Sequence, residues 1–234
     1  MNISVDCPAE RVKWLTIINV HMITLNEDLR VILIGGSSNV GKTTLAESLA
    51  SKLGWRSIST DKLARHPGRP WKSQSRAVPD HVAEHYLSLS VDELLQDVLR
   101  HYERMWPGLE TTLTSHTMDV SSEPLIFEGS ALWPESVASL CNNKKVAAIW
   151  LTAGNELFTE RIHAASQFEQ ESIQSKTMIQ KFLGRTHLYN ERMMQVVRQL
   201  RLPHLDIETA SSLDELCDLT LALVAQQVWN PMRG

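Results

Sequence analysis

A glycine-rich stretch carries the clearest chemical pattern in the sequence. It reads Gly36-x-x-x-x-Gly41-Lys42-Thr43 and lies between an apolar run, RVILIG, and a segment with helical periodicity, TTLAESLASKL. Glycines let the backbone curl so that successive N–H groups point at phosphate oxygens, and the following helix adds its positive dipole end. In this context the pattern predicts a nucleotide phosphate site. Its residues are Gly36, Ser37, Ser38, Asn39, Val40, Gly41, Lys42, Thr43 and Thr44.

Two side chains of this stretch have separate roles in the predicted chemistry. Lys42 would bridge the outer phosphates of the nucleotide, and the Thr43 hydroxyl would ligate a magnesium ion. A dinucleotide site is disfavoured, because GGSSNVG lacks the spacing G-x-G-x-x-G. The sequence also has no N-K-x-D motif, which disfavours recognition of guanine.

The segments around the glycine loop alternate between strand and helix patterns. After RVILIG, strand-like runs occur at WRSIST, PLIFEG, VAAIWLTA and LPHLDIE, with helical periodicity between them and after the last. This alternation predicts an α/β fold with a parallel sheet covered by helices on both faces. Residues 1–29 are interpreted as an N-terminal extension that adds a strand or hairpin to the sheet, and residues 30–234 as one domain.

Composition limits the class of protein. The chain has 234 residues, 43% hydrophobic and 21% charged, which suffices for one large domain with a buried core. A net charge of -4 gives no general attraction to nucleic acid or anionic lipid. Three cysteines without a CxxC pair favour a reducing cytoplasm over a disulfide framework. The most apolar segment, WLTIINVHMITL, falls short of the roughly 20 residues of a spanning helix, so no membrane partner is predicted. Because of the net charge, no nucleic-acid partner is predicted either.

Four stretches together resemble one branch of the P-loop proteins: GGSSNVGKTTLAESLASKL, ISTDKLARHPGRPW, LIFEGSALWPE and FLGRTHLYNERM. They are similar to small-molecule kinases, a group that includes adenylate and shikimate kinases, chloramphenicol phosphotransferase and zeta toxins, and most of all to 2-phosphoglycerate kinase-like proteins. The resemblance covers residues 30–228. It implies a P-loop kinase fold of five parallel strands, ATP and Mg²⁺ as cofactors, and a mobile helical lid near residues 165–185.

Two acidic residues at strand ends are candidates for catalysis. The resemblance implies that Asp61, after the second strand, accepts the proton of the substrate hydroxyl; the alternative is an N-cap of the next helix. Glu128 ends PLIFEG, where related enzymes have an acid that orients magnesium or touches the acceptor. Both are predicted to be catalytic and substrate-binding, and Glu128 also metal-binding. The sequence does not separate the base from the acid that orients the metal, and for Glu128 the alternative is an exposed charge at a strand end. Leu63 stands where shikimate kinases have a second Asp, which argues against shikimate as acceptor.

Arginines supply the remaining predicted contacts. Arg65 and Arg69 lie near Asp61, and because guanidinium forks suit carboxylate or phosphate, they are predicted to bind an acidic acceptor; a solvated basic surface is the alternative. The resemblance places Arg161 and Arg185 at the two ends of the lid, where both would bind ATP and Arg185 would also be catalytic. For Arg161 the alternative is an exposed cation. The lid is polar at its start and lacks apolar runs, so it is predicted to make few core contacts.

The predicted function is ATP- and Mg²⁺-dependent transfer of the γ-phosphoryl group to a hydroxyl of a small, anionic acceptor. The alternatives are a nucleotide kinase with a phosphate acceptor, an ATP-hydrolysing switch or nucleic-acid-associated ATPase, and a nucleotide-binding regulator without turnover. HVAEH, residues 81–85, fits a zinc-protease pattern, but two histidines do not complete a zinc site, so we interpret it as a helix face. The sequence indicates no particular oligomeric state.

Overall fold

One parallel sheet organises the residues that the computed structural model describes, 25–63, 68–72 and 77–229. All neighbouring strands are parallel, and the order across the sheet is β2-β3-β1-β4-β5. The strands are β1 (Val31–Gly36), β2 (Arg56–Ser59), β3 (Leu125–Glu128), β4 (Val146–Thr152) and β5 (His204–Asp206). The predicted α/β fold and its five-stranded parallel sheet are confirmed.

Helices cover both faces of this sheet. Within the described residues they are α1 (Lys42–Leu53), α2 (Asp80–Ser88), α3 (Val91–Met118), α4 (Pro134–Ala138), α5 (Asn155–Ser166), α6 (Ile173–Gln199) and α7 (Leu213–Trp229). The sequence pattern predicts that the third of these ends at Trp106, but α3 continues through Pro107 to Met118. Leu109 and Leu113 are buried beyond the proline, so packing against the sheet maintains the second half of the helix.

The residues of β1 alternate between two cores. Val31 and Leu33 pack in a cluster with side chains of α3 and α6, whereas Ile32 and Ile34 pack with side chains of α1, α5 and α7. Because both faces are covered, β1 is apolar throughout, as is typical of a parallel strand. The glycine loop follows the last residue of β1, Gly36, and therefore begins at the carboxyl edge of the parallel sheet.

Part of the N-terminal extension and part of the predicted acceptor loop lie outside the described residues. The predicted extra strand or hairpin falls within residues 1–24, and Arg65 within residues 64–67, which the structure does not describe. At the described end of the extension, Leu29 is buried and Leu25 half-buried against the core beneath α1. None of the helices in the described ranges combines the length and the apolar composition that crossing a membrane requires.

The segment predicted as a lid is attached to a core in its second half. A 3₁₀ turn at Phe168–Gln170 follows α5, and α6 begins at Ile173. Met178, Ile179 and Phe182 are then buried in a third apolar cluster, together with side chains of α2, α3 and α5. The prediction that residues 165–185 make few core contacts is therefore wrong for this half. These apolar residues are buried because they lie on one face of α6, although they do not form a continuous apolar run in the sequence. Closure of the lid over a nucleotide stays a prediction.

Candidate functional site

A cavity of about 1050 Å³ lies at the carboxyl edge of the sheet, next to the glycine loop. Predicted residues from distant parts of the chain line it: Ser38, Asn39, Gly41, Lys42, Thr43, Thr44, Asp61, Arg69, Glu128, Arg161 and Arg185. Gly36, Ser37 and Val40 belong to the same loop but are not among the lining residues. The structure thus brings the predicted nucleotide residues and the described acceptor residues to one cavity.

The glycine loop has left-handed backbone conformations at three positions. The φ angles are 143° at Gly36, 62° at Asn39 and 105° at Gly41. Lys42 Nζ donates to the Ser37 carbonyl oxygen at 2.8 Å, so the ammonium lies back over the loop. Ser37 Oγ donates to the Thr186 carbonyl oxygen at 3.2 Å and ties the loop to α6. These contacts hold the curled backbone that phosphate binding requires.

Lys42 is a buried cation beside two carboxylates. Its exposure is 8%, and burial lowers the pKa of its ammonium group. Glu128 and Asp61 oppose this shift by their charge, while Arg69 adds to it. An anion in the cavity would compensate the desolvated ammonium and keep it protonated. The electrostatics of Lys42 therefore suit a phosphate ligand.

Thr43 and Glu128 place two oxygen groups side by side at the end of β3. Thr43 Oγ1 donates to Glu128 Oε1 at 3.0 Å, and Glu128 is only 2% exposed. Among the described residues there is no group of three or more His, Cys, Asp or Glu side chains that would hold a metal alone. Magnesium typically binds one or two protein oxygens together with substrate phosphates. Thr43 and Glu128 fit a magnesium ion that arrives with a nucleotide.

The strand register brings Ser59, at the end of β2, next to Glu128 at the end of β3. A Cβ atom at Gly129 would collide with Thr60 Oγ1, so glycine at this position leaves room for Thr60. Asp61 itself is within a 3₁₀ turn that Ser59 caps, since Ser59 Oγ accepts from the Asp61 N–H at 3.4 Å. The capping role considered for Asp61 therefore belongs to Ser59, and the exposed Asp61 carboxylate lines the cavity.

Arg185 is held against aromatic side chains on the far wall of the cavity. It is 5% exposed, and its Nη1 donates to the Tyr86 hydroxyl at 2.9 Å. Its guanidinium carbon lies 4.6 Å from the ring centroid of Phe182, within the range of a cation–π contact. Burial raises the pKa of Tyr86, with Arg185 opposing the shift, so Tyr86 is a neutral hydroxyl. Tyr86 is not among the predicted site residues, although its spacing from Val82 is typical of a buried helix face.

Arg161 contacts the glycine loop itself. Its Nη1 donates to the carbonyl oxygens of Asn39 at 3.1 Å and Val40 at 3.0 Å. The side chain is half-buried and lines the cavity, which differs from the exposed cation considered as an alternative. In this structure its guanidinium stabilises the loop backbone from α5. A contact between Arg161 and ATP stays a prediction.

Arg69 and the segments after it form the other side of the cavity. Arg69 is exposed, and its guanidinium carbon lies 5.7 Å from the ring centroid of Trp71. Trp71 is buried and meets the ring of Phe182 edge-on at 4.9 Å. The lining also includes side chains of α2 and α3 that are not among the predicted site residues: His81, Val82, His101, Tyr102 and Met105.

The two histidines of HVAEH have different surroundings. His81 lines the cavity, whereas His85 Nε2 lies 4.0 Å from a carboxylate oxygen of Asp97 on α3. Burial lowers the pKa of His85 even though Asp97 opposes the shift. The interpretation of this segment as a helix face agrees with its position in α2.

A family model and a curated relative match the chain. A family model described as an AAA domain matches residues 32–180, from β1 into α6. The 2-phosphoglycerate kinase of Methanocaldococcus jannaschii is 24% identical over 199 residues, which are 81% of this chain and 62% of the relative. The chain thus spans less than two thirds of that relative's length.

Solved structures that align with this one include two kinases. A gluconokinase from Sinorhizobium meliloti 1021 is 18% identical, with a TM-score of 0.46 over 88% of this chain and 97% of that chain. A shikimate kinase from Acinetobacter baumannii in complex with shikimate is 16% identical, with a TM-score of 0.44 over 88% of this chain and 96% of that chain.

Proposed function

The chain belongs to the AAA domain family, and for this member we propose an ATP- and Mg²⁺-dependent kinase that transfers the γ-phosphoryl group to a hydroxyl of a small, anionic acceptor. One observation carries the proposal: the glycine loop, an exposed carboxylate and an exposed arginine line the same cavity. A carboxylate and an arginine also serve ATP hydrolysis, but a cavity of about 1050 Å³ has room for an acceptor beside the nucleotide. Phosphoryl transfer between two bound molecules would use the glycine loop, the carboxylate and the arginine together, because its catalysis depends on positioning and charge neutralisation.

The nucleotide half of the reaction rests on the loop, Lys42, Thr43 and Glu128. The curled backbone would bind phosphate oxygens through its N–H groups, and the Lys42 ammonium would leave the Ser37 carbonyl for the transferring phosphoryl group. The Thr43 hydroxyl and the Glu128 carboxylate would hold Mg²⁺, either directly or through water. When bound, Mg²⁺ neutralises charge on the β- and γ-phosphates.

The acceptor half rests on Asp61, Arg69 and Arg185. The Asp61 carboxylate would accept a hydrogen bond from the acceptor hydroxyl, and it would take the proton as the oxygen bonds to phosphorus. The Asp61 carboxylate is close enough to Lys42 for its charge to raise the pKa of that ammonium group, so the acceptor hydroxyl would lie near the phosphoryl group. Arg69 would bind an anionic group of the acceptor, and the buried Arg185 would stabilise charge that moves during transfer.

The chemistry of Arg69 and the name of the relative support an acidic acceptor. The relative is named for action on 2-phosphoglycerate, which makes that hydroxyl acid the first acceptor to test. Leu63 is 52% exposed beyond Asp61, where an apolar side chain does not offer the second carboxylate of shikimate kinases. We also propose a cytoplasmic location, supported by the free thiols of Cys141 and Cys217.

A screen of ADP release with different acceptors tests the proposal. Wild-type protein and Lys42→Ala receive Mg²⁺ and ATP with 2-phosphoglycerate, other hydroxy acids, phosphorylated sugars, nucleosides or nucleotides. We expect one class of acidic acceptor to raise ADP release above the acceptor-free rate in the wild type and not in the variant. Stimulation by neutral acceptors alone would contradict the anionic class, and acceptor-independent release at the full rate would favour the ATP-hydrolysing alternative.

A further inference from the structure

Arg69 lies on a connection that gives it no regular secondary structure. Residues 68–72 lie between β2 and α2, outside every helix and strand of the described chain. Arg69 is exposed, and the ion pairs among the described residues do not include it. An exposed arginine without restraint samples many conformations, and ordering it on an acceptor costs affinity. A binding role for Arg69 therefore requires a neighbouring group that restrains it.

Trp71 anchors this connection two residues further along the chain. It is 8% exposed, although Arg69 and Lys72 are both exposed. The Trp71 ring meets the ring of Phe182 on α6 edge-on, with the centroids 4.9 Å apart. The apolar cluster around both rings also contains Tyr86 of α2. Trp71 therefore attaches the connection to two helices of the core.

Two features transmit this restraint from Trp71 to Arg69. The guanidinium carbon of Arg69 lies 5.7 Å from the centroid of the Trp71 ring, within the range of a cation–π contact. Pro70 is buried between the two residues, and a proline fixes its own φ angle and favours an extended backbone at the residue before it. Both the side chain and the backbone of Arg69 are therefore restrained relative to Trp71.

The same pair of rings also contacts a second arginine of the cavity. The guanidinium carbon of Arg185 lies 4.6 Å from the ring centroid of Phe182. Arg69, Trp71, Phe182 and Arg185 all line the cavity. The packing of Trp71 on Phe182, rather than a loop alone, thus determines where Arg69 lies relative to Arg185.

We propose that Trp71 positions Arg69 for the acidic acceptor by anchoring the connection between β2 and α2 to Phe182. The inference rests on the proposed function, because that function assigns Arg69 to the acceptor. Trp71 is a positioning residue that acts on the acceptor through Arg69. Its substitution should therefore have no further effect on acceptor binding once the Arg69 guanidinium is removed. A tryptophan with a purely structural role would cause the same loss with or without that guanidinium.

A double-mutant cycle in the full chain measures this dependence. Trp71→Leu keeps an apolar side chain and removes the ring, whereas Trp71→Phe keeps an aromatic face. With 2-phosphoglycerate, or the acid that the ADP-release screen selects, Trp71→Leu should raise the acceptor KM roughly threefold to tenfold and leave kcat and the KM for ATP unchanged. Trp71→Phe should stay within about twofold of the wild type. In Arg69→Gln, adding Trp71→Leu should raise the acceptor KM no further.

Trp55→Leu is the matched control for the kinetic cycle. Trp55 is half-buried against the core beneath α1, and it is not among the described residues that line the cavity. Trp55→Leu and Trp71→Leu should both lower the melting temperature, because each removes a packed ring. Only Trp71→Leu should raise the acceptor KM.

Fluorine NMR tests the contact between Arg69 and Trp71 without an acceptor. In protein labelled with fluorotryptophan, the Trp71 resonance is the one that is missing from Trp71→Phe. Arg69→Gln should shift this resonance, because the guanidinium leaves the face of the ring, and it should not shift the resonance of Trp55. This comparison does not use Trp71→Leu, so it decides the contact even if that variant does not fold.

Three results would each overturn the role of Trp71. They are an acceptor KM in Trp71→Leu equal to that of the wild type, a further rise when Trp71→Leu is added to Arg69→Gln, and an unchanged Trp71 resonance in Arg69→Gln. A wild-type protein that uses no acidic acceptor would contradict the proposed function. In that case the fluorine shift would still decide whether Trp71 holds Arg69, so the two failures are distinguishable.

Discussion

The two sides of the cavity differ in how the fold holds them. On the nucleotide side, Lys42 and Glu128 are 8% and 2% exposed and lie at the start of α1 and at the end of the buried strand β3. On the acceptor side, Asp61 and Arg69 are exposed and come from the irregular connection between β2 and α2. The groups needed for any nucleotide chemistry are thus part of the core, whereas the groups that would recognise an acceptor lie on a connection that can change without disturbing that core.

This difference predicts two kinds of variant. Substitutions on the nucleotide side should lower turnover with every acceptor, because they act on the transferring phosphoryl group itself. Substitutions on the acceptor side should leave nucleotide binding and stability unchanged, because their side chains support little of the core. Four variants, from the largest expected effect to the smallest, test whether the two sides are separable in this way.

Lys42→Ala should have the largest effect. Loss of a preorganised cation at the transferring phosphoryl group is expected to lower turnover roughly a hundredfold to a thousandfold. Lys52→Ala is the matched control, since Lys52 lies on the same helix and forms ion pairs with Asp214 and Asp218 outside the cavity. Steady-state ADP release measures both variants. Near-normal turnover in Lys42→Ala would mean that the glycine loop does not act on a transferring phosphate.

Thr43 tests the magnesium contact on the same side. Thr43→Val removes the hydroxyl that donates to Glu128, while Thr43→Ser retains one. We expect Thr43→Val to raise the Mg²⁺ concentration for half-maximal turnover on the order of tenfold to a hundredfold, and Thr43→Ser to stay close to the wild type. A Mg²⁺ titration of turnover gives the comparison. Equal Mg²⁺ requirements in the two variants would remove Thr43 from the metal site.

Asp61→Asn tests the acceptor side at its proposed base. Turnover should fall roughly tenfold to a hundredfold, less than for Lys42→Ala, because a loose transition state requires little early proton removal. ATP affinity and melting temperature should not change, since Ser59 rather than Asp61 caps the local turn. These three quantities are measured on one preparation. A lower melting temperature with normal activity per folded molecule would restore a structural role for Asp61.

Arg69→Gln should have the smallest and most selective effect. The KM for an acidic acceptor is expected to rise roughly tenfold, because one charge-assisted contact at an exposed site is lost, while the KM for ATP stays unchanged. Arg100→Gln provides a control on an exposed arginine of α3 that pairs with Asp97. An increase in the KM for ATP would assign Arg69 to the nucleotide and remove the main support for an anionic acceptor.

Local patterns were sufficient to predict which residues meet on the nucleotide side of the cavity. The glycine loop is one continuous stretch, and its flanking strand is apolar because β1 is covered on both faces. Glu128 was predictable as the end of a strand. Its contact with Thr43 follows from the pairing of β1 with β3, which brings residues 85 positions apart within hydrogen-bond distance. The parallel order makes such a meeting at one edge of the sheet foreseeable.

The acceptor wall and the arginine contacts depend on tertiary packing that local patterns do not encode. The bond from Arg185 to Tyr86 joins α6 to α2 across 99 residues, and Arg161 reaches the glycine loop across 122. Similarly, Pro107 predicts a helix end by its local chemistry, yet burial of Leu109 and Leu113 keeps α3 helical. In each case the deciding contacts lie far away in the sequence.

Transfer of the phosphoryl group to an acceptor rather than to water is the central claim. Phosphorus-31 NMR of wild-type protein with Mg²⁺, ATP and 2-phosphoglycerate, or the acid that the ADP-release screen selects, counts phosphorylated acceptor and inorganic phosphate against ADP. We predict phosphorylated acceptor in amounts equal to ADP, little inorganic phosphate, and neither product from Lys42→Ala. Inorganic phosphate equal to ADP, with every acceptor unchanged, would contradict the account and identify the protein as a nucleotide hydrolase.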